Sequence, residues 1–267
     1  MSRLARRLQR VASPGEPGGF IPNLINNPHL GGYPDATNTG VPAGTTLTNS
    51  GSLTVTTNGA LIQNLNISGQ IIINADNVTI RNCRITSSDY YPIDHNNGNT
   101  GLLVEDSEII ATTYNVTAGM SFTDYTARRV SVTGSADGFK ADSNVLIEDC
   151  YVTALGIGPD THNDGVQTTG GSNVTLRHNT FKLGGQTVSS VVQVGNEWGT
   201  NSNWVIQNNL IDGGGWSINA SNNPADNPNF QVINNRFTRR AGYGPGSVGG
   251  ATWSGNIWDD DGTTVPG

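Results

Sequence analysis

One short phrase recurs along the chain. Residues 172–181 read SNVTLRHNTF, and versions of the same phrase stand at 77–85 (NVTIRNCRI), 144–152 (NVLIEDCYV), 203–211 (NWVIQNNLI) and 229–237 (NFQVINNRF). The central apolar residue of each copy gives a series of anchors: Ile62, Ile80, Val104, Ala127, Ile147, Leu176, Ile206, Val232 and Trp253. Their spacings run from 18 to 30 residues. A period of that size marks a solenoid, in which no repeat buries its inner face without its neighbours. The phrase is kept while the spacing varies, so the variation belongs to loops.

Within the phrase, side chains alternate. Val174, Leu176 and Phe181 are expected to face inward, with Thr175 and Arg177 outward. Polar turn formers follow the anchor by two residues, as at Asn82, Asp106, Asp149, His178, Asn208 and Asn234. The next column reads Leu65, Cys83, Ser107, Val130, Cys150, Asn179, Asn209, Asn235, Asn256. Its last four members predict a stacked asparagine ladder. A second strand aligns at 138–141, 165–168, 191–194 and 217–220. There Phe139, Val166, Val192 and Ile218 are expected inside, and Lys140, Gln167, Gln193 and Asn219 in an outward polar row.

These patterns predict an all-β fold: a single-stranded, right-handed parallel β-helix of about nine coils. The 35 glycines and a hydrophobic content of 34% suit short strands and many turns rather than helices. Residues 1–30 read as a basic helix and extended docking arm, 31–50 as a cap over the first coil, 51–258 as the β-helix and 259–267 as a tail. Cys83 and Cys150 share a column but stand three coils apart, about 14 Å at strand spacing, too far for a disulfide. Both are expected to be free, buried thiols.

Charge is segregated. Arg3, Arg6, Arg7 and Arg10 put +4 into ten residues that hold no acid, so with a net charge of −7 the rest carries −11. An acidic body argues against nucleic acid and anionic membranes as partners. No run approaches membrane-spanning length, so no membrane insertion is expected. The basic start is followed by VASPGEPGGF, without the apolar core of a secretory signal.

The stretch GGYPDATNTGVPAGTTLTNSGSLTVTTNGALIQNLNISGQIIINADNVTIRNCRI (31–85) resembles a pectate-lyase-like, right-handed parallel β-helix family found in actinobacteria and their phages. YPDATNTGVPAGTTLT carries most of the specificity, and the resemblance extends to about residue 260. It implies a phage minor tail or other virion protein, released by lysis and therefore needing no signal. It also implies a homotrimer. The basic arm, with Arg3, Arg6, Arg7 and Arg10, would then dock residues 1–30 onto other virion proteins. The β-helix would project and touch host cell-surface polysaccharide. A capsid-surface decoration protein would share the same arm and fold.

A polysaccharide lyase or glycoside hydrolase is the enzymatic alternative, and the sequence leans away from it. Its candidate residues are Asp137, Lys140, Asp160, His162 and Asp164, from SADGFKADSN (135–144) and GPDTHNDGVQ (158–167). Carboxylates on adjacent coils suit acid–base work on a glycosidic bond, or Ca²⁺ against a uronate. His162 or Lys140 would be a base. The family's lyases rely on a basic residue near acidic ligands, and here only Lys140 fits. Asp-Gly pairs are also ordinary turn chemistry. No cofactor and no structural metal site are expected, with Ca²⁺ the one cation considered. For glycan contact the candidates are Trp198, Glu197, Gln167 and Gln193; Trp198 is expected exposed, Trp204 and Trp258 inside. The outer column Leu103, Leu146 and Val205 is the candidate oligomer face. Light scattering of the purified protein tests the trimer: three 28.1 kDa chains give a mass near 84 kDa, and a clean monomer removes that assembly.

Overall fold

The computed structural model describes residues 32–95, 98–184 and 187–267. The four N-terminal arginines and the whole docking arm, residues 1–30, lie outside those residues. Among the described residues the strands form three parallel sheets, of ten, nine and nine strands. We call the first A, from Thr48–Ser50 to Ile257–Trp258. The second is B, from Leu53–Val55 to Gly244–Ser247. The third is C, from Leu61–Gln63 to Thr252–Ser254. Every strand pairs with the strand three places along the chain, so each coil visits C, A and B in turn. The architecture is the right-handed parallel β-helix that the repeat predicts. The only helix among the described residues is one short 3-10 turn, Pro224–Asp226, and none is long and apolar enough to cross a membrane.

All nine anchors stand in one register down the C sheet, from Ile62 opposite Ile80 to Val232 opposite Trp253. Each C strand is bracketed by two left-handed residues. Two positions after the anchor come Asn64, Asn82, Asp106, Arg129, Asp149, His178, Asn208 and Asn234, with φ from 49° to 57°. Three positions before it come Asn77, Asp124, Asn144, Asn173, Asn203 and Asn229, with φ from 55° to 61°, and glycine at 59, 101 and 250. Asparagine and aspartate tolerate this region best among residues with a Cβ. The phrase is thus a short extended stretch with four residues between two sharp corners. The N-x-S/T triplets at Asn77 and Asn173 follow directly, as a corner Asn before a strand.

Between the sheets lies a continuous apolar core, including Ile80, Ile85, Val132, Phe139, Val152, Val166, Leu176, Phe181, Ile206 and Phe237. Cys83 and Cys150 are free and buried within it. Burial pushes both thiols up, Cys150 well above the usual range. The predicted asparagine ladder runs through the core beside the C-to-A corner. Asn209 is representative: its Oδ1 accepts the Asn179 amide and the Asn179 Nδ2, each at 2.9 Å. Its Nδ2 donates to the Leu176 carbonyl at 2.9 Å and to Asn235 Oδ1 at 3.0 Å. Asn179, Asn235 and Asn256 continue the pattern. Each side chain satisfies backbone groups that the corner leaves unpaired.

A second ladder stands on the outer C face, one residue after the anchors. Arg81, Glu105, Arg128, Glu148 and Arg177 alternate in sign on successive coils. Arg81–Glu105 and Arg128–Glu148 approach to 2.6 Å, and Arg177 also reaches Glu148. Burial pushes the Glu148 carboxyl up, but the hydrogen bonds and charges of Arg177 and Arg128 outweigh it, leaving it below the ordinary glutamate value. A slip by one coil would put like charges together, so this column helps hold register. Leu103, Leu146 and Val205 also lie on this face. They alternate with Thr126 and Thr175 in one half-buried column, rather than forming an apolar stripe of their own. A shallow groove of about 700 Å³ runs over Leu103 and Leu146, between Asn144 and Asn173 on one side and Arg128 and Arg177 on the other.

The N-terminal end corrects one expectation. The segment from residue 32 to the first strand was expected to cover the first coil. It instead runs as a strap along the A-sheet flank. Tyr33 stacks on His178 at 5.3 Å and lies under the Arg236 guanidinium, on the sixth and eighth coils, while the Gly40 amide bonds the Arg129 carbonyl on the fourth. A buried aromatic with a stacking partner and a cation outweighs the coil-end position that chain order suggests. Only Thr48–Ser50 joins the first coil, pairing with Leu65–Ser68. At the other end, residues 259–267 are more than a tail. They fold back through the Ile257–Thr264 bridge, and Val265 is buried, with its carbonyl accepting Trp253 Nε1–H at 3.2 Å. The ladder makes one strong prediction. Asn209→Ala strands the Asn179 amide and the Leu176 carbonyl, and chemical denaturation should show a loss of at least about 2–4 kcal/mol.

Candidate functional site

The catalytic candidates and the two candidate glutamines gather at the B sheet. Lys140, Gln167, Gln193, Asn219 and Ser247 form one column in register over five coils. A second outward column stands three residues earlier in each strand. Its members include Asp137, Asp164, Ser190, Trp216 and Gly244. The strand bends between the two columns. A Cβ on Gly138 would meet Val152 at 2.9 Å, and one on Gly165 would meet Phe181 at 3.0 Å. Val191 and Ser217 are buried at the same position in the next two coils, so it is two successive inward residues, glycine or not, that bring residues three apart to face outward together. Lys140 Nζ therefore reaches Asp137 Oδ2 at 2.5 Å, and Ser190 Oγ reaches Gln193 Oε1 at 2.9 Å.

Asp137 and Asp164 are almost fully buried. Asp137 Oδ1 accepts the Asp164 amide at 2.9 Å, and its other oxygen accepts Lys140, whose ammonium also contacts Gln167 Oε1. Asp164 Oδ1 accepts the Ser190 amide at 2.7 Å, while Oδ2 has no hydrogen-bond partner among the described residues. Burial raises the Asp137 carboxyl, against the pull of Lys140. Burial, and then repulsion from Asp137, push Asp164 up to about 8. The two carboxyls are coupled, and Lys140, beside Asp137, opposes the upward shift of both.

Around this pair opens a hollow of about 460 Å³. Its floor is Asp137, Lys140 and Gln167, and its walls are Tyr114, Asn115 and Thr117 on one side and residues 159–162 on the other. Asp160 and His162 are exposed on the rim. Asn163 anchors the second wall, donating to the Ala136 and Gly156 carbonyls and accepting from Thr161. Asp137, Lys140, Asp160 and His162 thus share one hollow, with Asp164 buried beside them. Sequence reasoning missed the Tyr114 wall, because nothing in that loop marks where it folds. Glu197 and Trp198 lie elsewhere. Their loop follows Ser190–Val194 on the opposite edge of the B sheet, held by the Trp198 amide on the Thr169 carbonyl. The Trp198 side chain is 86% exposed. Trp204 is fully buried and stacked on Phe230, and Trp258 is half-buried under the Arg239 guanidinium.

The hollow suits proton chemistry or hydrogen bonding better than a cation. Three of the four oxygens of Asp137 and Asp164 already accept N–H donors, and an ammonium occupies the position a Ca²⁺ would need. No group of three or more metal-ligating side chains is arranged for a metal among the described residues.

Asp164 sets a pH dependence. Its folded value lies above the ordinary carboxylate value, so the folded state holds a proton that the unfolded chain has lost. Stability should therefore fall as pH rises from about 4 through about 8. Asn at this position keeps the acceptor for Ser190 and cannot ionise. Thermal unfolding should show Asp164→Asn losing several degrees less than the parent between pH 5 and pH 9; equal losses in both would remove the assignment.

In comparisons with known proteins, no family model, no curated protein and no solved structure matches the chain. The protein has the architecture that the resemblance implies: three parallel sheets stacked as a parallel β-helix.

Proposed function

We propose that the protein is a structural appendage of a phage particle, docked through residues 1–30, whose B-sheet face contacts host-envelope glycans. The observation that carries the glycan contact is the outward column Lys140, Gln167, Gln193, Asn219 and Ser247, which continues from the hollow over five coils. It repeats polar side chains about every 4.8 Å. The Nε2 groups of Gln167 and Gln193 donate to nothing among the described residues, while their oxygens are held by Lys140, Ser190 and Asn219. Fixed amide donors at a regular spacing suit the hydroxyls of a polymer that is itself regular. The phage setting and the trimer rest on the resemblance of residues 31–85, and the docking role on the isolated cluster Arg3, Arg6, Arg7 and Arg10.

One observation favours the enzymatic reading. A carboxyl that stays protonated near neutral pH, beside an ion pair and a histidine-rimmed hollow, is the equipment of a general acid in a lyase or hydrolase. Against it, the same carboxyls hold successive coils together through the Asp164 and Ser190 amides.

A binding screen on host-envelope polysaccharides separates the readings. The parent protein should bind without releasing fragments, and Gln193→Ala should weaken binding about tenfold. Fragment release that disappears in Asp164→Asn would replace the structural reading with the enzymatic one. Deleting residues 1–30 should abolish incorporation into particles. Incorporation without them would end the docking role.

A further inference from the structure

We infer that Trp216 and Tyr243 form a stacking subsite for a neutral sugar, on the same face as the hollow and two coils beyond Asp164. The inference rests on the glycan-contact reading and adds residues and a sugar class to it. In register, Asp164 stands opposite Ser190, Ser190 opposite Trp216, and Trp216 opposite Gly244. Trp216 therefore occupies the outward position that Asp164 occupies two coils earlier. It is also three residues before Asn219, the relation in which Asp137 touches Lys140 and Ser190 touches Gln193. The indole consequently borders the amide column.

The two rings are held from behind and open in front. Their centroids lie 5.8 Å apart with the planes tilted by 44°, which makes an open wedge rather than a closed stack. A Cβ on Gly215 would lie 3.2 Å from the Tyr243 ring, and one on Gly244, whose φ is +147°, would lie 3.0 Å from the Trp216 ring. Each ring thus rests on glycine backbone of the neighbouring coil. That backbone is itself tied, by the Gly242 amide to the Gly214 carbonyl at 2.9 Å and the Tyr243 amide to the Gly215 carbonyl at 2.7 Å. Tyr243 nevertheless leaves 76% of its surface in water. Two large rings fixed in attitude, Tyr243 exposed and Trp216 half-buried, are prepared for a flat apolar face, at little ordering cost on binding.

The surroundings select the face. The neighbours along the columns are Ser190, Gln193, Asn219 and Ser247, all uncharged. Arg240, on the adjoining loop, is taken up by Asp212. A ligand with an apolar face, a rim of hydroxyls and no charge fits this combination. A hexose chain with equatorial substituents has those properties, because its ring C–H bonds point to one side and its hydroxyls to the edge. A polyuronate would find here only a cation already paired with Asp212.

Isothermal titration of the full chain with cellohexaose and chitohexaose tests the subsite. Binding to at least one is expected, with Trp216→Ala and Tyr243→Ala each weakening it tenfold or more. Trp216→Phe, which keeps a ring, should restore most of the affinity, and Leu61→Ala, at an exposed position on the C sheet, should change it less than twofold. Unchanged thermal midpoints show that the variants remain folded. If Gln193→Ala weakens binding while both aromatic variants bind like the parent, the stacking subsite is overturned and the glycan-contact reading stands. If the parent binds neither hexasaccharide but binds an acidic polysaccharide, the neutral-sugar assignment falls alone. If it binds no saccharide at all, both fall.

Discussion

The structure depends on a single-residue corner. After each C strand the chain turns into the A sheet through one left-handed residue, and a second such residue opens the strand. Because both corners sit at constant distances from the anchor, every coil enters and leaves the C sheet in the same way. Side chains at equal offsets must then stack on one another at strand spacing. The asparagine ladder inside and the Arg–Glu alternation outside are consequences of that stacking. Each would be worthless out of register, so each also penalises slippage.

The B sheet is where this regularity relaxes. Its strands are reached through loops of unequal length, and several turn two successive residues into the core, Gly138 and Phe139 in one coil, Val191 and Val192 in another. That inward pair turns two columns outward instead of one. One column supplies amides, and the other supplies, on successive coils, Asp137, Asp164, Ser190 and Trp216. A fold that is monotonous on two sides thereby carries a chemically graded third side, from a buried, partly protonated carboxyl pair to an aromatic wedge. The longer loops before these strands wall the hollow at one end and place Tyr243 at the other.

Much of the fold was legible because its rules are local and then repeated. The parity of Val174, Leu176 and Phe181, the outward row from Lys140 to Asn219, and the isolation of Cys83 from Cys150 all follow from a two-residue strand period carried from coil to coil. The Arg–Glu column was equally available one position after the anchors, to a reader who followed that offset down the repeat. Of the candidate site, Asp137, Lys140 and Gln167 could be aligned from their shared place in the strand. That Asp160 and His162 lean over the same hollow could not, since a loop's sequence does not state the direction in which it folds.

The sequence by itself determined the solenoid, its register and which side chains face the core, because periodicity and corner chemistry act within a few residues. Tertiary structure alone decided three things. The strap from Tyr33 lies along the A flank against His178 and Arg236, since docking depends on partners well over a hundred residues away. Trp198 lies across the B sheet from the hollow, since the two ends of one strand project from opposite edges. Asp164 holds a proton near neutral pH, since burial and the charge of Asp137 come from the stacking of coils and from no feature of its own segment.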